Sequence, residues 1–225
     1  MGQVVKLQQK RLLYMGLIAV LVLIWFFYRA NGPQTTAVLA GTVRAATLLA
    51  LGAMCGMIGE RSGVVNIGIE GQFLLSAFAA FTIASMTGSL FMGTIAGVGM
   101  GLLMGWVLAG MAVGLKVDQI IAGTVLNISA LGLTSFFYDR SRSLGMGKYT
   151  NIDLGPLADL PLVGTVLFSR PPLTYLTMAL LVVVHIALFR SVWGMRTRAI
   201  GEHPGAADTV GIDVIKLRYF NVTIA

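Results

Sequence analysis

The sequence predicts an all-α, polytopic membrane protein, and three observations carry that expectation. Hydrophobic residues make up 56 % of the chain and charged residues 11 %, whereas soluble domains carry roughly a quarter charged. Apolar runs recur that are long enough for the roughly 20 residues a bilayer core demands of a helix. The basic residues flank those runs instead of gathering on one polar face, so the net charge of +7 reads as membrane topology and contact with a lipid bilayer, with no nucleic-acid partner. About six complete transmembrane helices and the start of a seventh are expected, in a single transmembrane domain over 1–225. A broken segment is expected near 59–72 and a short cytoplasmic helix near 204–211.

In chain order, Lys6, Lys10 and Arg11 precede the apolar run 12–28, which Arg29 follows. No small-residue cleavage site succeeds its aromatic end, Trp25-Phe26-Phe27-Tyr28. The run is therefore read as a first span with a cytoplasmic amino terminus, not as a signal peptide. Asn31-Gly32-Pro33 marks an outside turn. The second span lies within 37–58, with small residues such as Ala46, Ala50 and Gly56 that allow close helix approach. Arg44, near its outer end, either snorkels to headgroups or faces a solute path. The charge-free stretch 71–115 fits two spans joined by Thr87-Gly88-Ser89. In its second half Gly93, Gly97, Gly101 and Gly105 recur every fourth residue and form one stripe for helix contact.

Lys116 and Asp118 mark the cytoplasmic side again, and 119–138 is a fifth span. Its polar residues Asn127, Ser129, Thr134 and Ser135 either bond neighbouring helices or touch solute. The hydrophilic interruption 139–172, with Arg140, Arg142, Lys148, Asp153, Asp159 and Arg170, is the expected outside loop. A sixth span, 173–189, contains His185. On this assignment ten basic residues fall inside (Lys6, Lys10, Arg11, Arg61, Lys116, Arg190, Arg196, Arg198, Lys216, Arg218). Five fall outside (Arg29, Arg140, Arg142, Lys148, Arg170), as the positive-inside rule requires.

Two polar stretches interrupt the hydrocarbon. The first, Gly59 to Gln72, reads GERSGVVNIGIEGQ. Charges at membrane depth cost roughly 2.5–3.5 kcal/mol each and therefore face a cavity, the bundle interior or the interface. Glycines at 59, 63, 68 and 71 weaken a continuous helix, and broken backbone survives there only where protein or cavity water satisfies it. Glu60 and Arg61 fit either a cytoplasmic turn or the path. Glu70 sits where the next span should have begun, and lining a central path is its better reading. The second stretch, 193–216, reads WGMRTRAIGEHPGAADTVGIDVIK and forms a cytoplasmic loop. Pro204 can start a helix and Gly211 can stop one, leaving about two turns, too short to persist alone. Its face is poor in bulky apolar groups, so docking on another protein suits it better than lying on lipid. Asp213 can cap a further helix.

Enzymatic readings find little support. No Gly-x-x-x-x-Gly-Lys-Ser/Thr loop occurs, so ATP phosphates are not held in that way. Cys55 lies alone in an apolar run. His185 and His203 lie on different elements, and no cluster has metal-ligand spacing, so neither metal nor other cofactor is expected. Ser62, His203 and Asp208 could be written as a triad, but no spacing favours it.

The residues nonetheless carry a resemblance. The segment Ala206-Ala207-Asp208-Thr209-Val210-Gly211 resembles the Ala-Ala-x-x-x-Gly core of the coupling loop of ABC importer permeases, with Gly205 where many have Glu. Together with GERSGVVNIGIEGQ and RAIGEHPGAADTVGIDV, it makes the chain similar, from about Ala37 onward, to the permease branch serving nucleosides and simple sugars, a relative of the branched-chain amino acid permeases. The resemblance implies an inner-membrane transport subunit, not an enzyme, that pairs with a second permease subunit. Cytoplasmic ABC ATPases would hydrolyse ATP, and an extracytoplasmic solute-binding lipoprotein would deliver solute. Gly201, Glu202, Ala206, Ala207 and Gly211 would form the ATPase-coupling helix. Glu60, Asn66 and Glu70 would belong to the translocation path. Family members are longer, so an amino-terminal fragment is the expectation. The competing expectation is an ion- or proton-coupled secondary carrier using Arg44, Glu70 and His185 as a buried relay.

Overall fold

A computed structural model describes residues 2–138, 145, 147–153 and 155–225; Arg140 and Arg142 lie outside the described residues. In order, the helices are α1 (Gly2–Ala30), α2 (Gly32–Arg61), α3 (Ile69–Thr87), α4 (Leu90–Ala109), α5 (Gln119–Phe137), α6 (Pro172–Arg190), α7 (Val192–Glu202), α8 (Pro204–Thr209) and α9 (Val214–Ile224). A π-helical turn, Gly110–Gly114, extends α4. Between α5 and α6, β1 (Ile152–Asp153) pairs antiparallel with β2 (Ser169–Arg170). Among the described residues six helices, α1 to α6, are long and apolar enough to cross a membrane. Large apolar side chains such as Leu49, Phe91, Trp106 and Phe136 stay exposed on them, which hydrocarbon solvent permits and water would not. The chain is thus an all-α polytopic membrane protein.

The expected spans are recovered, most with longer ends, while α5 stops one residue short at Phe137. Helix α2 runs for 30 residues, about 45 Å at 1.5 Å per residue, and reaches through Glu60 and Arg61. The turn expected at Asn31-Gly32-Pro33 shrinks to Asn31, because Gly32 and Pro33 already form the first turn of α2, where a proline's missing N–H costs nothing. The break expected over 59–72 narrows to 62–68.

The described chain divides into two compact units. The first comprises 1–47 and 150–175. There Arg170, expected to be solvated in a loop, is buried at 5 % exposure. Its Nε donates to the Val166 carbonyl at 2.6 Å and its Nη1 to the Ala40 carbonyl at 3.1 Å. Burial first, and the nearby Arg44 charge second, push this guanidinium below its ordinary range.

The second unit comprises 48–149 and 176–225. Its core joins Leu75 of α3, Met104 and Leu108 of α4, Ala122, Leu126 and Ala130 of α5, Val222 of α9, and Val64 from the break. The glycine stripe of α4 makes the close contacts its spacing implies. A Cβ at Gly93 would lie 2.6 Å from the Ala80 carbonyl of α3, and one at Gly97 would lie 3.2 Å from the Ser76 carbonyl. The stripe then changes partner, since a Cβ at Gly105 would lie 2.8 Å from the carbonyls of Val222 and Thr223 in α9.

Candidate functional site

Residues 62–68 leave backbone groups unpaired by helix, and the surrounding side chains satisfy them one at a time. Ser62, fully buried, donates its Oγ proton to the Gly59 carbonyl at 2.7 Å. The Val65 N–H donates to Gln119 Oε1 at 2.7 Å. The Ile67 carbonyl accepts from Asn127 Nδ2 at 3.0 Å. Asn66 closes a turn on itself: its Oδ1 accepts from the Gly68 N–H at 2.9 Å, and its Nδ2 donates to Gln72 Oε1 at 3.0 Å and to Cys55 Sγ at 3.4 Å. Where these groups are shielded from water, each of the bonds replaces a desolvation cost that an unpaired polar group would carry.

One stripe of α5 does most of this stitching. Gln119, Gly123 and Asn127 recur every fourth residue and so share a helix face. Gly123 lets the backbone of Gly68 approach so closely that a Cβ there would lie 2.8 Å from the Gly68 nitrogen. Asn127 also caps α3. No side chain of the preceding Gly68 can do so, and Asn127 Oδ1 accepts from the Gly71 N–H at 2.7 Å instead. Asn127 is thus a helix-bonding residue. Of these three residues the sequence singles out Asn127 alone, and it shows neither the stripe nor its partner segment.

Glu60 and Glu70 flank the break, on the last turn of α2 and the first of α3, with both carboxylates exposed. Glu70 gains from the helix amino-terminal dipole there. Beyond them, α3 and α5 enclose a cleft of about 540 Å³ lined by Leu74, Phe78, Phe81, Leu131, Thr134 and Tyr138 among others, in which the Phe81 and Tyr138 rings stand 6.4 Å apart.

The second polar stretch folds as helix, short helix, helix. Helix α7, capped by Ser191 Oγ on the Gly194 N–H, absorbs Arg196 and Arg198. Arg198 and Arg61 each lie over the Phe189 ring, at 5.6 and 5.7 Å. Helix α8 has six residues and ends at Thr209, with Gly211 in the turn beyond at φ +83°, a conformation open to glycine. Ala207 is buried at 4 % exposure, whereas Glu202, Ala206 and Gly211 are exposed and Gly201 is half-buried. As expected, Asp213 caps α9, accepting from the Lys216 N–H at 3.0 Å. Helices α7 and α9 are joined by Trp193 Nε1 donating to Asn221 Oδ1 at 3.0 Å and Asn221 Nδ2 donating to Thr197 Oγ1 at 3.1 Å. Arg218 of α9, which the sequence places only among the inside cations, donates from Nε to the Ser62 carbonyl at 2.9 Å and from Nη2 to the Ile200 carbonyl at 3.1 Å.

Six apolar helices, an irregular segment held by side-chain amides, and a short exposed helix framed by two longer ones define a multi-pass membrane protein. More narrowly, the chain belongs to the family described as branched-chain amino acid transport system / permease component, whose model matches residues 38–225. It is 37 % identical over 190 residues to the putative glucose ABC transporter permease protein TsgC13 of Haloferax volcanii, covering 83 % of this chain and 58 % of that protein. It is 33 % identical over 200 residues to the guanosine ABC transporter permease protein NupQ of Bacillus subtilis, covering 84 % and 63 %. It is 31 % identical over 184 residues to the nucleoside ABC transporter permease protein NupC of Lactococcus lactis subsp. cremoris, covering 76 % and 57 %. The chain spans about three fifths of the length of these curated relatives. No solved structure matches it significantly.

Proposed function

We propose that this chain contributes the solute path and the motor contact of an ATP-driven ABC uptake system for nucleosides or simple sugars. The observation that carries this reading is the pairing, in one family member, of a stitched helix break with a short helix that leaves most of its surface unused. A six-residue helix is too short to persist by propensity, yet α8 is framed by α7 and α9 and exposes Ala206 and Thr209. That is the shape of a contact element, in which Glu202 at the end of α7, Ala206 of α8 and Gly211 in the turn beyond meet a cytoplasmic ABC ATPase, while the buried Ala207 and the close-packed Gly201 seat the element on the rest of the chain. ATP hydrolysis belongs to that partner. A second permease subunit and an extracytoplasmic binding lipoprotein complete the system, and the amino terminus of this chain faces the cytoplasm.

Glu60 and Glu70 edge the translocation path, and Asn66 shapes it by holding the break. An uncharged solute rich in hydroxyls and amides passes best where partners hold it briefly. The ring faces and hydroxyls of the cleft between α3 and α5 suit a nucleobase with its sugar.

The test is a cysteine at Thr209, in a background with Cys55 replaced by Ser. A cross-link from that cysteine to the ATPase, with uptake of guanosine or glucose that stops when ATP is removed, is the expected result. Uptake that survives loss of the ATPase but collapses with an uncoupler would overturn the reading in favour of an ion-coupled carrier.

A further inference from the structure

We propose that Arg218 is the positioning residue that delivers the motion of α8 to the helix break. The inference rests on the reading of α8 as the ATPase contact. Its physical basis is a place where two backbones touch and one guanidinium bonds both. Gly201, the penultimate residue of α7, lies so close to the break that a Cβ there would collide with the Arg61 carbonyl, and a Cβ at Gly63 would stand 3.4 Å from Gly201 Cα. Gly63 has φ +80°, which only glycine adopts without strain. No side chain separates the end of α7 from the start of the break.

Over this contact the Arg218 fork spans the Ser62 and Ile200 carbonyls. Among the described residues it makes the one side-chain hydrogen bond from the α7–α9 frame to residues 62–68. Both residues whose carbonyls it binds are fully buried. The same frame flanks α8 at both ends, and its two helices are tied together by the Trp193–Asn221–Thr197 bonds. A push on α8 therefore moves α7 and α9 together, and Arg218 passes the displacement to Ser62. The α2 end follows through the Ser62–Gly59 bond, and the α5 stripe through Gln119. A guanidinium can bond two carbonyls in fixed directions at once, whereas a lysine ammonium is a point charge that cannot copy that fork.

The experiment uses the full-length protein assembled with its ATPase in membranes, in the Cys55→Ser background, and takes two readouts. Cross-linking from Thr209→Cys to the ATPase reports assembly. The change in maleimide reactivity of Val65→Cys on adding ATP reports arrival of the motion at the break, where Val65 is 45 % exposed. With Arg218 present, both signals are expected. In Arg218→Lys and Arg218→Gln the cross-link is expected to persist while the ATP-induced change at Val65→Cys falls roughly 2- to 30-fold, the range for residues along a coupling network. An undiminished ATP response in both variants overturns the role of Arg218, as does the lack of any response with Arg218 in place. Failure of both variants to assemble makes Arg218 a folding element and equally overturns it. If no cross-link forms even with Arg218 present, the coupling role of α8 falls first and this inference falls with it.

Discussion

At the scale of single residues, the break is a problem of pairing, and Asn127 solves two parts of it. Its Oδ1 serves the Gly71 N–H and its Nδ2 serves the Ile67 carbonyl. Asn127→Leu leaves both groups without their partner, so a loss of about 1–3 kcal/mol is expected, read as a lower thermal midpoint in detergent. Asn127→Gln restores the chemistry but not the reach and should recover only part of that loss. Gly123→Ala tests the other half of the stripe. Its methyl meets backbone at Gly68, which cannot step aside as a flexible side chain would. Overpacking of this kind costs about 1–3 kcal/mol. Gly132, on the same helix with nothing within 4 Å of a built Cβ, is the matched control, and Gly132→Ala should leave the midpoint unchanged or raise it. Asn127 was visible in the sequence as a polar residue in an apolar run. Which of its two open readings held depended on a segment 56 and 60 residues away, a separation no local pattern encodes. Asn66 was legible as part of the break, but its commitment to Gly68, Gln72 and Cys55 was not.

At the scale of elements, the helices were read from length and hydropathy, and their ends were not. The glycine ladder of α4 named a contact face correctly because small-xxx-small spacing needs no knowledge of the partner. That the face splits between α3 and α9 emerged only with the fold. Gly93→Val should therefore destabilise the α3–α4 pair by about 1–3 kcal/mol, while Gly99→Val, in open space, should not. Measuring both by thermal aggregation separates packing from helix propensity. The segment 193–216 was read as one short helix on a basic stem, yet the stem is itself helical, because Ser191 caps it and Arg198 spends its charge over Phe189. The start of α9 offers a pH test. The Lys216 N–H first, and the Lys216 ammonium second, hold the exposed Asp213 carboxyl below the ordinary 3.8. A depressed folded value means that the cap contributes fully above the unfolded value and is lost as pH falls through the folded one. Amide exchange at Lys216, corrected for its intrinsic pH dependence, should therefore accelerate below about pH 4. Asp213→Asn should remove that dependence while keeping the cap.

At the scale of the whole molecule, topology follows from parity, since every membrane crossing moves the chain to the other side. Fold class was the most legible property, because a bilayer imposes length and composition on each span regardless of what packs beside it. Sidedness was read from basic residues alone, and it generates a pattern that hydropathy does not. Thr87, exposed at the end of α3, and Lys116, exposed after α4, are separated by one crossing. Lys116 and Thr209 are separated by two, α5 and α6. Single cysteines at these positions, in the Cys55→Ser background and in intact cells, should split accordingly. Thr87→Cys is expected to react with a membrane-impermeant maleimide from outside. Lys116→Cys and Thr209→Cys should react only after permeabilisation. The inverted pattern, with Thr87 protected and the other two open, would keep all the crossings but reverse the charge-based orientation, and would place α8 where no ATPase could reach it. Agreement between Thr87 and Lys116 would instead remove α4 from the membrane. That outcome is hard to reconcile with a helix whose glycine stripe is buried against α3 and α9 while Phe91, Val98 and Trp106 stand exposed. The predicted split holds if the ten inside cations outweigh the five outside ones, as translocation energetics favour.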